Sequence, residues 1–119
     1  MQYLLLIYSD EKAGADMSKE AMDVVMSEYN AYTDALEKSG QMRGGDALHP
    51  TASATTVRVQ NGKTITTHGP FAETKEQLGG YYLVDCKNLD EAIEWAAKCP
   101  GARAGSIEVR PVVDFSQPQ

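Results

Sequence analysis

The chain has 119 residues, 42% of them hydrophobic and 24% charged, which fits one globular domain over residues 1–119 and argues against disorder. Eleven Lys and Arg stand against 17 Asp and Glu, for a formal net charge of -6 and a pI near 4.8. That balance excludes a surface that tracks nucleic-acid phosphates or an anionic membrane.

The apolar run over residues 2–8 is bounded by Ser9-Asp10-Glu11 and reads as a central strand covered on both faces. It has no basic leader and is too short to span a membrane, so a cytoplasmic protein is expected. An acidic loop follows over residues 10–16. Ser18 then caps a long helix that Gly40 stops, with Met22, Val25, Met26, Tyr29, Tyr32 and Leu36 on its apolar stripe. Met and Tyr there serve as core packing, and their adaptable shapes also suit the wall of a pocket.

Residues 41–48 form a short strand broken by Gly44-Gly45, ending before His49-Pro50. Residues 55–60 and 63–68 flank Asn61-Gly62, whose tolerance of positive φ suits a two-residue type I′ hairpin turn. The register pairs Gln60 with Lys63 and Thr55 with His68, so Val57, Val59, Thr64, Thr66 and His68 share one face. With the valines turned to the core, His68 reaches the inner rim of that face.

Residues 72–78 are polar and charged and read as a loop or one helical turn. Gly79-Gly80 lead into a strand over residues 81–86. Asn88 and Glu91 form a capping-box start to a second helix, which Pro100-Gly101 ends. The last strand covers residues 106–113, with Pro111 suited to an edge. Cys86 and Cys99 are too few and too widely spaced for a zinc site, a disulfide has no obvious compartment without a secretion signal, and the two are expected as buried thiols.

This order predicts an α+β sandwich of the ferredoxin-like kind, with both helices on one face of the sheet. The opposite face of so small a domain calls for a cover, and a two-fold homodimer with its sheets face to face supplies one.

The run from Gly69 through Phe71, Glu73, Lys75, Gln77 and Gly80 to Tyr82 resembles the signature of the DGPF type of the YCII-related family. So do the opening Met-x-Tyr-Leu-Leu-Leu-Ile-Tyr, the Gly44 to Leu48 segment, the helix around Trp95 with Cys99-Pro100, and the Ile107 to Pro111 strand. His68 stands where that signature opens with Asp. The resemblance implies a dimeric ferredoxin-like α/β barrel and the genomic company of extracytoplasmic-function sigma factors, hence an accessory, non-catalytic role as the alternative to enzymatic chemistry.

Candidate chemistry centres on the HGPF turn. His68 before Gly69-Pro70 can act near neutral pH, or can cap the turn. Glu73 and Glu76 bracket Lys75, as an acid–base set at a pocket rim or as solvated charges; Lys75 can neutralise an anionic ligand or pair with either acid. Tyr29 joins His68 and Glu73 as the expected catalytic group. Phe71, Tyr32 and Tyr81 join Lys75 and Glu76 as expected ligand contacts, the tyrosines lining an aromatic cavity between helix and sheet. The two histidines lie far apart and make no metal motif, and neither a phosphate loop nor a nucleophile elbow occurs, so no metal or cofactor is expected. The reading is a small-molecule pocket near the turn, with an anionic or aromatic ligand and cofactor-independent acid–base chemistry.

Overall fold

In the computed structural model, which describes residues 1–116, the Ser18 side chain accepts a hydrogen bond from the Ala21 amide at 3.1 Å and starts the long helix α2 (Lys19–Lys38). Gly40 just beyond it takes φ 78, the left-handed conformation that ends a helix. The Asn88 side chain accepts from the Glu91 amide at 3.0 Å and starts α3 (Leu89–Lys98). Where the sequence suggested a loop over residues 10–16, Asp10 caps a five-residue helix, α1 (Glu11–Ala15).

The strands are β1 (Gln2–Ser9), β2 (Met42–Ala47), β3 (Thr55–Gln60), β4 (Lys63–His68), β5 (Gln77–Asp85) and β6 (Ser106–Pro111). β2, β5, β1 and β6 form one antiparallel sheet in that order, and β3 and β4 form a second sheet of two strands. Setting the hairpin aside, the chain runs β-α-β-β-α-β, an α+β arrangement consistent with the ferredoxin-like fold. β5 starts four residues earlier than expected because Gly79 enters it at a bulge, where the register against β1 shifts between Ile7 and Tyr8.

Alternation along β1 sends Tyr3, Leu5 and Ile7 to the helix side, where Tyr32 and Leu36 of α2 and Ala92 and Ala96 of α3 complete a core with Val84. Cys86 and Cys99 are free thiols buried within it, as the sequence suggested. Leu4, Leu6 and Tyr8 point to the other side and are half-buried. The expectation that β1 is covered on both faces is therefore corrected. Both helices bury their apolar residues against the Tyr3, Leu5 and Ile7 side, and the second face stays open in the single chain.

The hairpin register matches the one read from Asn61-Gly62, with Gln60 on Lys63 and Thr55 on His68, and with φ 50 and 75 at the two turn residues. Its orientation differs. Val57 is 59% and Val59 70% exposed, so the valines do not face the core and His68 is not at an inner rim. No strand of the larger sheet pairs with β3 or β4, so the hairpin stands out as an arm. The radius of gyration is accordingly 16.5 Å, against about 13.5 Å for a compact chain of this length.

The base of the arm is fixed. The Gly69 amide donates to the Ala54 carbonyl at 2.7 Å, and the Thr51 amide and hydroxyl both donate to the Glu11 carboxylate at 2.8 Å. The Glu11 amide in turn donates to Gln77 Oε1 at 2.9 Å, joining α1, the arm and β5.

Leu36 is fully buried whereas Val59 contacts water, so Leu36→Ala is expected to cost about 2–5 kcal/mol of unfolding free energy and Val59→Ala under about 0.5 kcal/mol. Urea unfolding of the two variants checks this, and a Val59→Ala loss as large as that of Leu36→Ala would place the arm in the cooperative core.

Candidate functional site

Gly45 lies opposite Tyr82 and Gly80 lies opposite both Ile7 and Ala47. The two glycines lie beneath the middle of α2, and a cavity of about 390 Å³ opens there between helix and sheet. A Cβ at Gly45 would lie 3.0 Å from the Tyr82 ring and 3.4 Å from the Met42 methyl; one at Gly80 would lie 2.9 Å from the Asp46 carbonyl oxygen. Close approach therefore requires glycine at both positions.

The helix supplies Val25, Met26, Tyr29, Asn30 and Thr33 to the wall, and β2 and β5 supply Met42 and Tyr82. The Tyr82 hydroxyl and Thr33 Oγ1 are 2.7 Å apart and share a hydrogen bond that either can donate. Tyr32 stands behind this wall. Its ring meets Tyr82 edge-on at 5.2 Å and Trp95 at 6.0 Å, and its hydroxyl donates to the Trp95 carbonyl at 2.8 Å. Tyr29 lines the cavity, and its hydroxyl lies against Gly101 and receives the Cys99 thiol at 4.0 Å.

Burial pushes the phenols of Tyr29 and Tyr32 far above their ordinary 10.0, with the neighbouring Cys99 adding to the effect. Burial also raises Tyr82, against the lowering effect of its bond to Thr33, and raises the Cys99 thiol. The cavity thus presents neutral hydroxyls at physiological pH, and Cys99 is a packed thiol rather than an activated nucleophile.

Tyr29 is the expected site residue whose side chain lines this cavity; Tyr81 borders it from β5, but it pairs with Leu6 and turns its side chain to the open face, where its hydroxyl donates to Asp46 Oδ2 at 2.6 Å. Tyr32 is one layer behind. His68 ends β4 exposed, Phe71 is 78% exposed, and Glu73 and Lys75 are exposed on the loop after it. Glu76 is partly buried and accepts from the Ser106 hydroxyl at 2.9 Å, which ties the end of that loop to β6. None of these five lines the cavity, because the arm carries the HGPF turn out of the layer between α2 and the sheet.

Sequence reasoning missed Asn30, Thr33, Met42 and Gly45. The signal that could have found them is the recurrence of Gly-Gly at residues 44–45 and 79–80, in two strands that pair with each other. Among the described residues no three His, Cys, Asp or Glu side chains gather as a metal set, and no helix is long and apolar enough to cross a membrane.

A raised native pKa means that the folded state holds the phenol proton more tightly than the unfolded state. The resulting stability is whole below pH 10.0 and declines as pH rises beyond it. The melting temperature is expected to fall from about pH 10 upward, and to fall less steeply in a Tyr29→Phe/Tyr32→Phe double variant. Parallel declines in the two proteins would show that these phenols do not carry the effect.

The model of the YCII-related domain matches residues 1–116. An uncharacterized protein of Rhizobium meliloti (strain 1021) is 43% identical over 114 residues, covering 94% of this chain and 92% of the other. Among solved structures, the 5-chloro-2-hydroxyhydroquinone dehydrochlorinase of Burkholderia phenoliruptrix AC1100, in complex with 2,5-dihydroxybenzoquinone, aligns with a TM-score of 0.51. That alignment covers 98% of this chain and 97% of the other at 14% identity, a likeness of fold alone. The family match over nearly the whole length, together with the 43% identical relative, identifies the chain as a member of the YCII-related domain family.

Proposed function

We propose that the protein binds a small molecule in the cavity between α2 and the sheet, and does so as a homodimer. The observation that carries the reading is the cavity itself, a concave space of about 390 Å³ walled mainly by apolar side chains and a few hydroxyls. Such a composition is typical of small-molecule sites. A dehydrochlorinase of similar fold, solved with a small quinone, is compatible with this reading.

Tyr29 is the expected catalytic residue that stands in the wall. Held protonated by burial, its phenol can give a hydrogen bond or a proton to a ligand oxygen but cannot serve as a base near neutral pH. In this reading His68 and Glu73 are not needed for binding and are the groups to test for a cofactor-independent chemical step. The accessory role beside a sigma factor rests on the resemblance alone.

The dimer is supported by the open sheet face. Leu4, Leu6 and Tyr8 of β1 lie there beside Leu83 and Tyr81 of β5, paired in the register Leu4 to Leu83 and Leu6 to Tyr81. A second copy facing it closes the apolar strip and makes the barrel that the family resemblance implies.

Two measurements test these readings. A library ligand at about 100 times its Kd adds about 2.7 kcal/mol of stability, a rise of several degrees in Tm. Met26→Trp at the half-exposed rim is expected to abolish that rise and His68→Ala to preserve it; the opposite pattern moves the site to the HGPF turn. Light scattering is expected to give twice the 13.0 kDa chain mass, and a monomeric mass would refute the dimer.

A further inference from the structure

Resting on the cavity reading above, we propose that its ligand is an uncharged, planar aromatic molecule of one or two rings that carries a hydroxyl or carbonyl oxygen. Among the described residues no Lys, Arg or His lines the space, and the one carboxylate there, Asp46, already accepts the Tyr81 hydroxyl at 2.6 Å. An anion entering it loses hydration and meets no counter-charge, and a cation meets only a carboxylate that is engaged elsewhere. The raised Tyr29 and Tyr82 phenols stay neutral and add no charge to either balance. The anionic alternative considered from Lys75 fails on this ground, since Lys75 lies outside the cavity.

Shape and surface chemistry favour a ring. The place a side chain would take at Gly45 is filled by the Tyr82 ring and the Met42 methyl, and at Gly80 by the Asp46 and Ala47 backbone, so ring and thioether surface rather than bare backbone faces the ligand there. The Met42 methyl and the Tyr82 ring edge converge above Gly45, and Met26 borders the space from the helix side. Thioether groups beside an aromatic ring make favourable contacts of about 0.3–1.5 kcal/mol each. A cavity near the lower end of the usual range of about 300–1,000 Å³ limits the ligand to roughly one or two fused rings.

The oxygen requirement follows from the Thr33 and Tyr82 hydroxyls. Together they own two protons, and their mutual bond uses one. The other proton is available to a ligand oxygen, and the free lone pairs can receive a ligand hydroxyl. A ligand without such an oxygen leaves the pair to solvent at the mouth or unsatisfied beneath the ring.

Titration calorimetry of the full chain with four matched probes at neutral pH tests the proposal: phenol, benzoate, benzylammonium and cyclohexanol. Phenol is expected to bind at least about tenfold more tightly than either ion, and more tightly than the non-planar alcohol. Thr33→Val is expected to weaken phenol about fivefold while leaving toluene, a fifth probe that lacks the oxygen, unchanged, and Met26→Trp to abolish the binding of both. If benzoate or benzylammonium equals phenol and Met26→Trp still blocks it, the ligand class is wrong and the cavity reading stands. If phenol binds Met26→Trp as well as it binds the parent protein, the cavity reading itself is wrong. Failure of all four probes at millimolar concentration overturns the proposal.

Discussion

Tyr32 holds the layers in their places. One turn above Leu36 on α2, it sets its ring against Tyr82 of β5 and Trp95 of α3 and gives its hydroxyl proton to the Trp95 carbonyl. Trp95 passes the constraint on, since its indole N–H donates to Gln41 Oε1 at the entrance of β2. Two helices and two strands thus share one aromatic cluster in which every buried polar end is satisfied. The cluster grips the second half of α2. The cavity lies beside the cluster, under the middle of the helix from Val25 to Thr33, where Gly45 and Gly80 stand in the paired strands.

Much of the backbone was legible because its signals are local. Ser18, Asn88 and Gly40 act within one helical turn of where they stand, and Asn61-Gly62 sets a register through the geometry of two residues. Orientation was not local. Val57 and Val59 alternate like core residues, and the pattern says they share a face without saying what that face meets. Only the pairing of β5 with β2 and β1, which excludes the hairpin, decides that the valines meet water. The site was hidden for a similar reason. Tyr29 was readable as a residue on an apolar stripe, but Thr33 gains its role only from Tyr82, 49 positions away.

The HGPF segment, the centre of the candidate chemistry in the sequence, is in part architecture. Gly69 takes φ 93 and closes the arm against Ala54, while Glu76 and Gln77 fasten the far end of the loop to Ser106 and Glu11. The arm also differs electrically from its body. Residues 55–68 carry Arg58 and Lys63 and no acid, in a chain whose net charge is -6.

An arm closed at its own base behaves as a cassette. Every hydrogen bond between β3 and β4 joins residues that lie within fourteen positions of each other, so the hairpin can form early and alone, without waiting for the long-range pairing of β1 with β5 and β6. Its length is also free to drift. Adding or removing paired residues near the Asn61-Gly62 tip changes the reach of the arm while leaving untouched the Ala54 to Gly69 closure, the Glu11 clasp and the core beneath them. Reach can therefore vary among related chains at little cost to the fold.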